Sequence, residues 1–522
     1  MRSSALISAG VLLSRLTGLV RLLLLVSVLG EGGLGDVYAF ANNVPNLIYE
    51  LLAGGVLSAV LLPLFVDLLA RDDRDGLSVV VTTSVLLLGL VAVVGVVAAP
   101  AIGWAVAAIS GGGSRAAQQE AFVHLLRWVV PQVFFYGLIT VVSSLLQAGR
   151  RFGAAAFAPV LNNLVVIVTL VVLQQRSALD LATAPLAEVL TDPATLTILG
   201  AGTTAGVAIN AVALVPSLQR CRLGLRVLPR WRHPVMGRMW SAGRGALGFV
   251  AVSQVGVLVT TLMANAWKET GQYVAYINSG LLLFVAYGVL VVSVTTAVGP
   301  ELASTAQSGD TAGFRQVWLR GLRLIVLLTA PASAAMVVLA QPIFELLPLT
   351  DDSTQLYAGL FQVFSVGLVP FSISQYVIRS FYARSDTRTP VRIALVQYGV
   401  IIGLGLVVAP IYQVPGLSVV YTIGYGAAGL VAFSWFARSL GRLRFSEVAM
   451  LPRMAAAAVG AAVVMAAVLA LLGWGARTTP PTVQLVAGGL VGLVVYPGFL
   501  WAMGTTSDLQ AGLDLGRRVL RR

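Results

Sequence analysis

Apolar residues run along this chain in long blocks, separated by short polar turns rich in arginine. A helix needs about 20 apolar residues to cross the hydrocarbon of a bilayer. Fourteen blocks meet that requirement: 5–29, 36–69, 77–108, 121–148, 154–174, 194–217, 245–267, 272–302, 317–341, 355–383, 389–410, 414–437, 452–473 and 482–503. The second and eighth are long enough to bend or to project beyond the bilayer. The longest polar connection covers residues 218–244, and no hydrophilic domain interrupts the series. The pattern predicts an all-α polytopic membrane protein with 14 transmembrane helices.

Composition agrees. The 522 residues are 58% hydrophobic and 11% charged, with a mean hydropathy of +0.89. Soluble domains carry about 25% charged residues, so a water-soluble enzyme, a disordered chain and a nucleic-acid binder are excluded despite a net charge of +13. Of the 34 cations, all but Lys268 are arginine. If the N-terminus is cytoplasmic and the fourteen spans alternate, 27 cations fall on the cytoplasmic side, five on the outer side and two within the first helix. The positive-inside rule is then obeyed at every cytoplasmic loop, with both termini inside. Residues 1–30 look superficially like a secretory signal, but Arg15 and Arg21 interrupt the apolar run and no A-x-A site follows. This stretch is therefore expected to be a retained first helix.

Three features suggest an internal repeat. Residues 58–63 followed by Gly76 match residues 295–300 followed by Gly313; Pro131 matches Pro370; and Pro159, opening span 5, matches Pro390, opening span 11. Six spans separate the copies, an even shift that preserves orientation. The halves would be parallel repeats about an axis along the membrane normal, the plan of transporters with a site between two lobes.

The polar residues inside apolar blocks carry the candidate chemistry. Arg15 and Arg21 lie in the first helix, about 9 Å apart in height and about 120° apart around its axis. An arginine at mid-bilayer costs about 2.5–3.5 kcal/mol on insertion scales, so each needs water, a carboxylate or an anionic ligand. Gly18 between them permits close approach to the backbone. The second block holds Asp36 near its outer end, then Asn42, Asn43, Pro45, Asn46 and Glu50. Glu50 either pairs with an arginine or faces a wet site, and Pro45 predicts a kink. Asn162 and Asn163 place two amides in span 5, where interhelical hydrogen bonding is one role. Tyr276, Asn278 and Ser279 make a polar stretch in span 8, and His124 with Arg127 lies at the outer, interfacial start of span 4.

Enzymatic signatures are missing from the sequence: HExxH, Walker A, CxxC and the nucleophile elbow are all absent. The lone Cys221 permits no internal disulfide, and His124 and His233 are too far apart in sequence to suggest a histidine-rich metal site. No enzyme activity, metal or cofactor is expected.

The Ser14-Arg15-x-x-Gly18-x-x-Arg21 helix, residues 36–41 leading to Pro45-Asn46-Leu47, and residues 58–63 resemble the MurJ (MviN) lipid II flippases. So do Ala156-Phe157-Ala158-Pro159 with Asn162, and Phe381-Tyr382-Ala383-Arg384 through Thr389-Pro390. The resemblance runs in order over about residues 5–440. It places the chain in the multidrug/oligosaccharidyl-lipid/polysaccharide exporter superfamily, and the arginine-for-lysine usage points to the actinobacterial branch. It implies two six-helix lobes around a central cavity, with two extra helices forming a lipid groove. The expected boundaries are 1–217 for the N-lobe, 218–244 for a cytoplasmic linker, 245–440 for the C-lobe, and 441–522 for spans 13–14 and a basic tail.

What the resemblance implies for function is movement of lipid-linked peptidoglycan precursor from the inner to the outer leaflet of a bacterial cytoplasmic membrane by alternating access. Arg15 and Arg21 match the arginines expected to meet the diphosphate, and Asp36 matches the second-helix aspartate. Asn46, Glu50, Asn162, Asn278 and Ser279 complete the candidate substrate-binding set. Two departures stand out: Tyr49 and Glu50 follow the Pro-Asn-Leu motif where the family often has arginines, and Asn278-Ser279 stands where an Asp-Arg pair is expected. The expected partners are lipid II or a related polyprenyl-diphosphate lipid, membrane lipids and cell-wall synthesis proteins, with no nucleic acid. Turnover would draw on the membrane potential or on a coupled ion. Three other readings stay open: export of another polyprenyl-diphosphate glycan, drug antiport within the same superfamily, and a non-transporting scaffold of the cell-wall machinery.

Overall fold

The computed structural model describes residues 2–30, 32–49, 58–109, 116–149, 153–265, 272–347, 349–384, 386–441, 445–472 and 479–504. Their regular elements are all helices. In chain order these are α1 (Arg2–Leu29), α2 (Leu34–Tyr49), α3 (Ser58–Ala70), α4 (Arg74–Ile109), α5 (Ala116–Val129), α6 (Gln132–Ala148), α7 (Gly153–Arg176), α8 (Leu186–Val189) and α9 (Pro193–Gln219). There follow α10 (Pro234–Asn265), α11 (Gln272–Gln307), α12 (Thr311–Phe344), α13 (Asp351–Val366), α14 (Leu368–Ala383), α15 (Arg388–Ser439), α16 (Phe445–Val448), α17 (Met450–Leu471) and α18 (Pro481–Ala502). The chain divides into two compact units, Met1–Val274 and Ala275–Arg522, with the boundary in the first turn of α11.

Nine helices among the described residues are long and apolar enough to cross a membrane, or ten if the bent pair α13–α14 is one span. Their outward residues are apolar too: Leu86, Leu90, Val93 and Val97 of α4 are all exposed. A row of exposed leucine and valine on a helix whose backbone groups bond internally suits hydrocarbon and not water. The chain is a multi-pass membrane protein.

Several expected spans are subdivided, each for a local reason. Residues 121–148 break between α5 and α6 at Pro131, which has no N–H to continue the ladder. Residues 355–383 break at Gly367, where the axis bends by 45° and Pro370 follows in the first turn of α14. Residues 389–437 form one element with a single non-helical residue, Gln413 (φ 51°, ψ −139°). Gly424 packs against Ile401 and the Gln397 carbonyl, and Gly416 against Val408, so α15 is a hairpin folded back at Gln413. Pro159 lies inside α7 and does not open it. Helix α10 begins at Pro234, so the polar connection contracts to residues 220–233. Hydropathy overstated it because the first turns of α10 carry Arg238 and Arg244.

In the first unit, α7 packs between α1 and α9, and α3, α4 and α6 share a core of Leu61, Phe65, Leu68, Val80 and Val141. In the second, α12 is central, meeting α13, α14, α17 and α18. Trp318 of α12 is fully buried beside Tyr376 and Phe436, and the Tyr376 hydroxyl donates to the Trp318 carbonyl at 3.1 Å. Helices α17 and α18 seal against α12 through Val338, Met465 and Leu469, with the Tyr496 hydroxyl donating to the Leu327 carbonyl at 3.1 Å.

Candidate functional site

Helix α1 turns one polar face toward α7. Asn163 donates from Nδ2 to the Ser14 carbonyl at 3.1 Å and to the Thr17 hydroxyl at 3.0 Å. Gly18 belongs to the same face: a Cβ there would lie 3.5 Å from Asn163 Nδ2, so Asn163 is the group that comes close to this glycine. Arg15 projects away from this contact and is exposed, as are Leu16 and Leu19. Arg21 is half-buried, and its Nε is buried without a hydrogen-bond partner. Among the described residues neither arginine forms an ion pair. One guanidinium is thus open and the other is partly inside the helix packing. Glu50 lies outside the described residues.

Asp36 is 8% exposed and accepts a hydrogen bond at 3.1 Å from the backbone N–H of Val274, in the first turn of α11. The first N–H groups of a helix have no partner within it, and its N-terminus carries partial positive charge. A carboxylate from α2 thus caps a helix far away in sequence. Two neighbours support this tie. Asn43 donates to the Tyr273 hydroxyl at 3.2 Å, and Phe40 meets the Tyr273 ring edge-on at 5.5 Å. Asn46 donates at 3.2 Å to the Asn42 carbonyl of its own helix.

A second polar seam crosses α7 and α9. Asn162 is half-buried, and its Oδ1 has no hydrogen-bond partner; Gly206 of α9 faces it so closely that a Cβ there would lie 2.5 Å from that oxygen. One turn along α9, Asn210 is buried, and its Oδ1 also lacks a partner. One turn the other way, the Thr203 hydroxyl pairs with that of Tyr38 at 3.1 Å, and the Arg21 charge reaches the same phenol. Polar groups from α1, α2, α7 and α9 thus share one interior in the first unit. Tyr38, Thr203 and Asn210 were not singled out from sequence. Asn210 had a signal, as a lone amide within the apolar run of α9, whereas Tyr38 and Thr203 had none. In α5, His124 shares a hydrogen bond with the Thr197 hydroxyl at 3.0 Å, a link to α9.

The second unit uses its candidates differently. Ser279 is fully buried and donates to the Tyr357 carbonyl at 3.1 Å, so it joins two helices. Asn278 beside it is half-exposed. Tyr276 lies in an aromatic group with Phe364 and Tyr421, at 5.4 and 6.1 Å between ring centroids. Two further arginines were not among the candidates, although Arg379 lies within the apolar block 355–383 and Arg384 closes the Phe381-Tyr382-Ala383-Arg384 motif. Arg379 donates to the Thr295 hydroxyl at 2.7 Å. Arg384 lies over the rings of Phe314 and Phe436 at 5.8 and 5.9 Å and donates to Ser439 at 2.8 Å, in a cleft of about 570 Å³. Among the described residues no group of three or more His, Cys, Asp or Glu side chains could hold a metal ion.

Residues 25–481 match the family model described as lipid II flippase MurJ. The probable lipid II flippase MurJ of Haemophilus influenzae is 28% identical over 431 residues, covering 78% of this chain and 80% of that protein. The lipid II flippase MurJ of Burkholderia cenocepacia is 27% identical over 530 residues, covering 95% and 96%. Among solved structures, lipid II flippase MurJ in an inward closed conformation superposes with a TM-score of 0.75 at 18% identity, covering 96% of this chain and 99% of that one. An inward-facing multidrug resistance MATE family transporter of the MOP superfamily gives 0.63 at 14% identity, covering 82% and 94%.

Proposed function

Because the chain belongs to the lipid II flippase MurJ family, we propose that it moves lipid II, a lipid-linked peptidoglycan precursor, from the inner to the outer leaflet by alternating access. The observation that carries the site is the state of α1: Arg15 is exposed, Arg21 keeps a buried Nε without a partner, and neither has an ion pair among the described residues. Unpaired guanidinium at bilayer depth is costly, and a diphosphate offsets that cost through bidentate, charge-assisted hydrogen bonds. Asn162 stays in the candidate set as a half-buried amide, with its Oδ1 enclosed against Gly206. Asn46 and Asn278 are half-exposed polar groups of the same candidate set. Glu50 would take the arginines when cargo leaves. Asp36 and Ser279 act through the helix ties they form.

In this reading fourteen spans put both termini in the cytoplasm, with the protein in the bacterial cytoplasmic membrane. The potential favours outward movement of anionic cargo by about 2.3 kcal/mol per charge per 100 mV, so no cofactor is required. The likeness of fold to MATE transporters supports antiport as a second reading. Reconstitution with labelled lipid II, reading leaflet exchange with and without a potential, separates the two. Arg15→Ala is expected to insert normally and to lose at least tenfold in exchange rate; an unchanged rate would remove the arginine from the site.

A further inference from the structure

Residues 220–233, between α9 and α10, form an extended strap along the start of α4. Its backbone is pinned there. The N–H of Arg226 donates to Ser78 Oγ at 3.2 Å, the N–H of Leu228 donates to Thr82 Oγ1 at 3.0 Å, and Thr82 donates to the Arg226 carbonyl at 3.4 Å. Leu223, Leu225 and Leu228 turn inward onto the core of α3, α4 and α6. The arginines of the strap turn outward, with Val227 and Trp231. Arg220, Arg222, Arg226 and Arg232 are exposed, and none has an ion pair among the described residues.

The acidic side chains nearby are already engaged. Asp67 pairs with Arg71 and Arg238, Asp72 with Arg74, and Asp75 with Arg230; Asp73 accepts from the N–H of Gly76. Between the arginines stand Val227, 83% exposed, and Trp231, 53% exposed. The depth of the strap follows from α4. Thr82 is four residues before Leu86, the first of the exposed apolar residues on that helix, so about 6 Å of helix separates the pinned strap from the hydrocarbon-facing band. Tryptophan favours that level of a membrane because its ring is amphipathic.

We propose that the strap is a membrane-surface anchor that binds anionic phospholipid headgroups of the leaflet it faces. Its unpaired guanidinium groups meet headgroup phosphates, while Val227 and Trp231 enter the interface between them. Each arginine held at an anionic surface strengthens partitioning about five-fold. The leucines and the Ser78 and Thr82 contacts hold these groups in one row, so little ordering remains to oppose binding. The anchor goes beyond the transport reading and does not depend on what the protein carries.

The test uses the full chain with Cys221→Ser, which keeps a donor to the Ser217 carbonyl, and Val227→Cys carrying a nitroxide. Its accessibility to a water-soluble paramagnetic nickel chelate is measured in phosphatidylcholine vesicles with and without about one third phosphatidylglycerol. The expected result is at least a five-fold fall in accessibility on adding phosphatidylglycerol, reversed by Arg222→Gln, Arg226→Gln and Arg232→Gln together and by molar salt. Equal accessibility in the two vesicle types would overturn the proposal. So would a fall that survives the three substitutions, because it would show apolar insertion without headgroup recognition. An unchanged thermal transition of the triple variant confirms that the strap's fold is retained.

Discussion

The two units make the same turn in different ways. In the first, α3 ends at Ala70, Asp72 takes a positive φ of 50°, and Asp73 caps α4 by accepting from the N–H of Gly76 at 2.7 Å. In the second, α11 ends at Gln307, Gly309 takes a φ of 72°, and Asp310 caps α12 by accepting from the N–H of Gly313 at 2.9 Å. Stop, left-handed residue, carboxylate cap and glycine recur at one constant spacing, and only the left-handed residue differs. Glycine adopts that conformation at no steric cost, whereas aspartate is among the few others that tolerate it. The breaks at Pro131 and beside Pro370 correspond in the same way. Local backbone chemistry has thus been kept while the interiors have diverged. The first unit gathers partnerless polar atoms of Arg21, Asn162 and Asn210 where α1, α7 and α9 meet; the second also has them, at Trp318 Nε1 and Gln484 Oε1, but sets Trp318 among aromatic rings that continue through Phe371 and Tyr421.

Crowded glycines give the largest expected effect that separates the interiors. At Gly429 a Cβ would lie 2.8 Å from the Pro370 carbonyl oxygen, a backbone atom that cannot step aside, so Gly429→Ala should cost about 3 kcal/mol. At Gly206 the nearest atom is the end of the Asn162 side chain, at 2.5 Å, with the Asn162 carbonyl oxygen slightly farther than the backbone contact of Gly429, at 3.0 Å, and the equivalent change should cost about 2 kcal/mol. Thermal unfolding in detergent ranks the two, and the reverse order would mean that the polar seam is the more rigid interior.

Next comes the tie at the start of α11. Asp36→Ala removes a charged acceptor from a buried N–H and should cost about 2 kcal/mol. Hydrogen exchange at Val274 should rise with it; unchanged exchange would show that another group caps the helix. The two matched caps come third. Asp73→Ala and Asp310→Ala should each cost about 1 kcal/mol. Unequal melting shifts would break the structural equivalence of the two turns.

The smallest effect belongs to Asp386, outside the spans at the start of α15. Burial raises its pKa, but hydrogen bonds from the Thr389 hydroxyl and from the N–H groups of Thr389 and Arg388, with the Arg392 charge, outweigh burial and hold it below 3.8. A depressed carboxylate stabilises the fold above its ordinary pKa, and that contribution is lost as pH falls through the lowered value. Melting between pH 5 and 2.5 should therefore decline less steeply for Asp386→Asn. Identical pH profiles would show that the carboxylate charge contributes nothing there.

The sequence showed the blocks of helix clearly because hydropathy in a membrane protein is read directly from burial in lipid. It also showed the repeat at Gly76 and Gly313, since glycine and proline mark backbone events. Arg15 and Arg21 were legible because charge inside an apolar run is costly wherever it lies. Less legible was the use of each polar group. Asp36 reads equally well as a solvated aspartate or a ligand, and only the approach of Val274 from 238 residues away makes it a cap. Asn163 and Ser279 likewise acquire interhelical partners through packing that no local pattern encodes. The strap was hidden by its arginines, which read as a solvated loop until Ser78 and Thr82 supplied its anchorage.

Gln413 is the only residue of α15 with non-helical backbone angles, and prolines at 410 and 415 stiffen either side of it. The two arms meet with no loop between them, so a residue inserted at the reversal would turn one arm by about 100° and present a different set of side chains to the other.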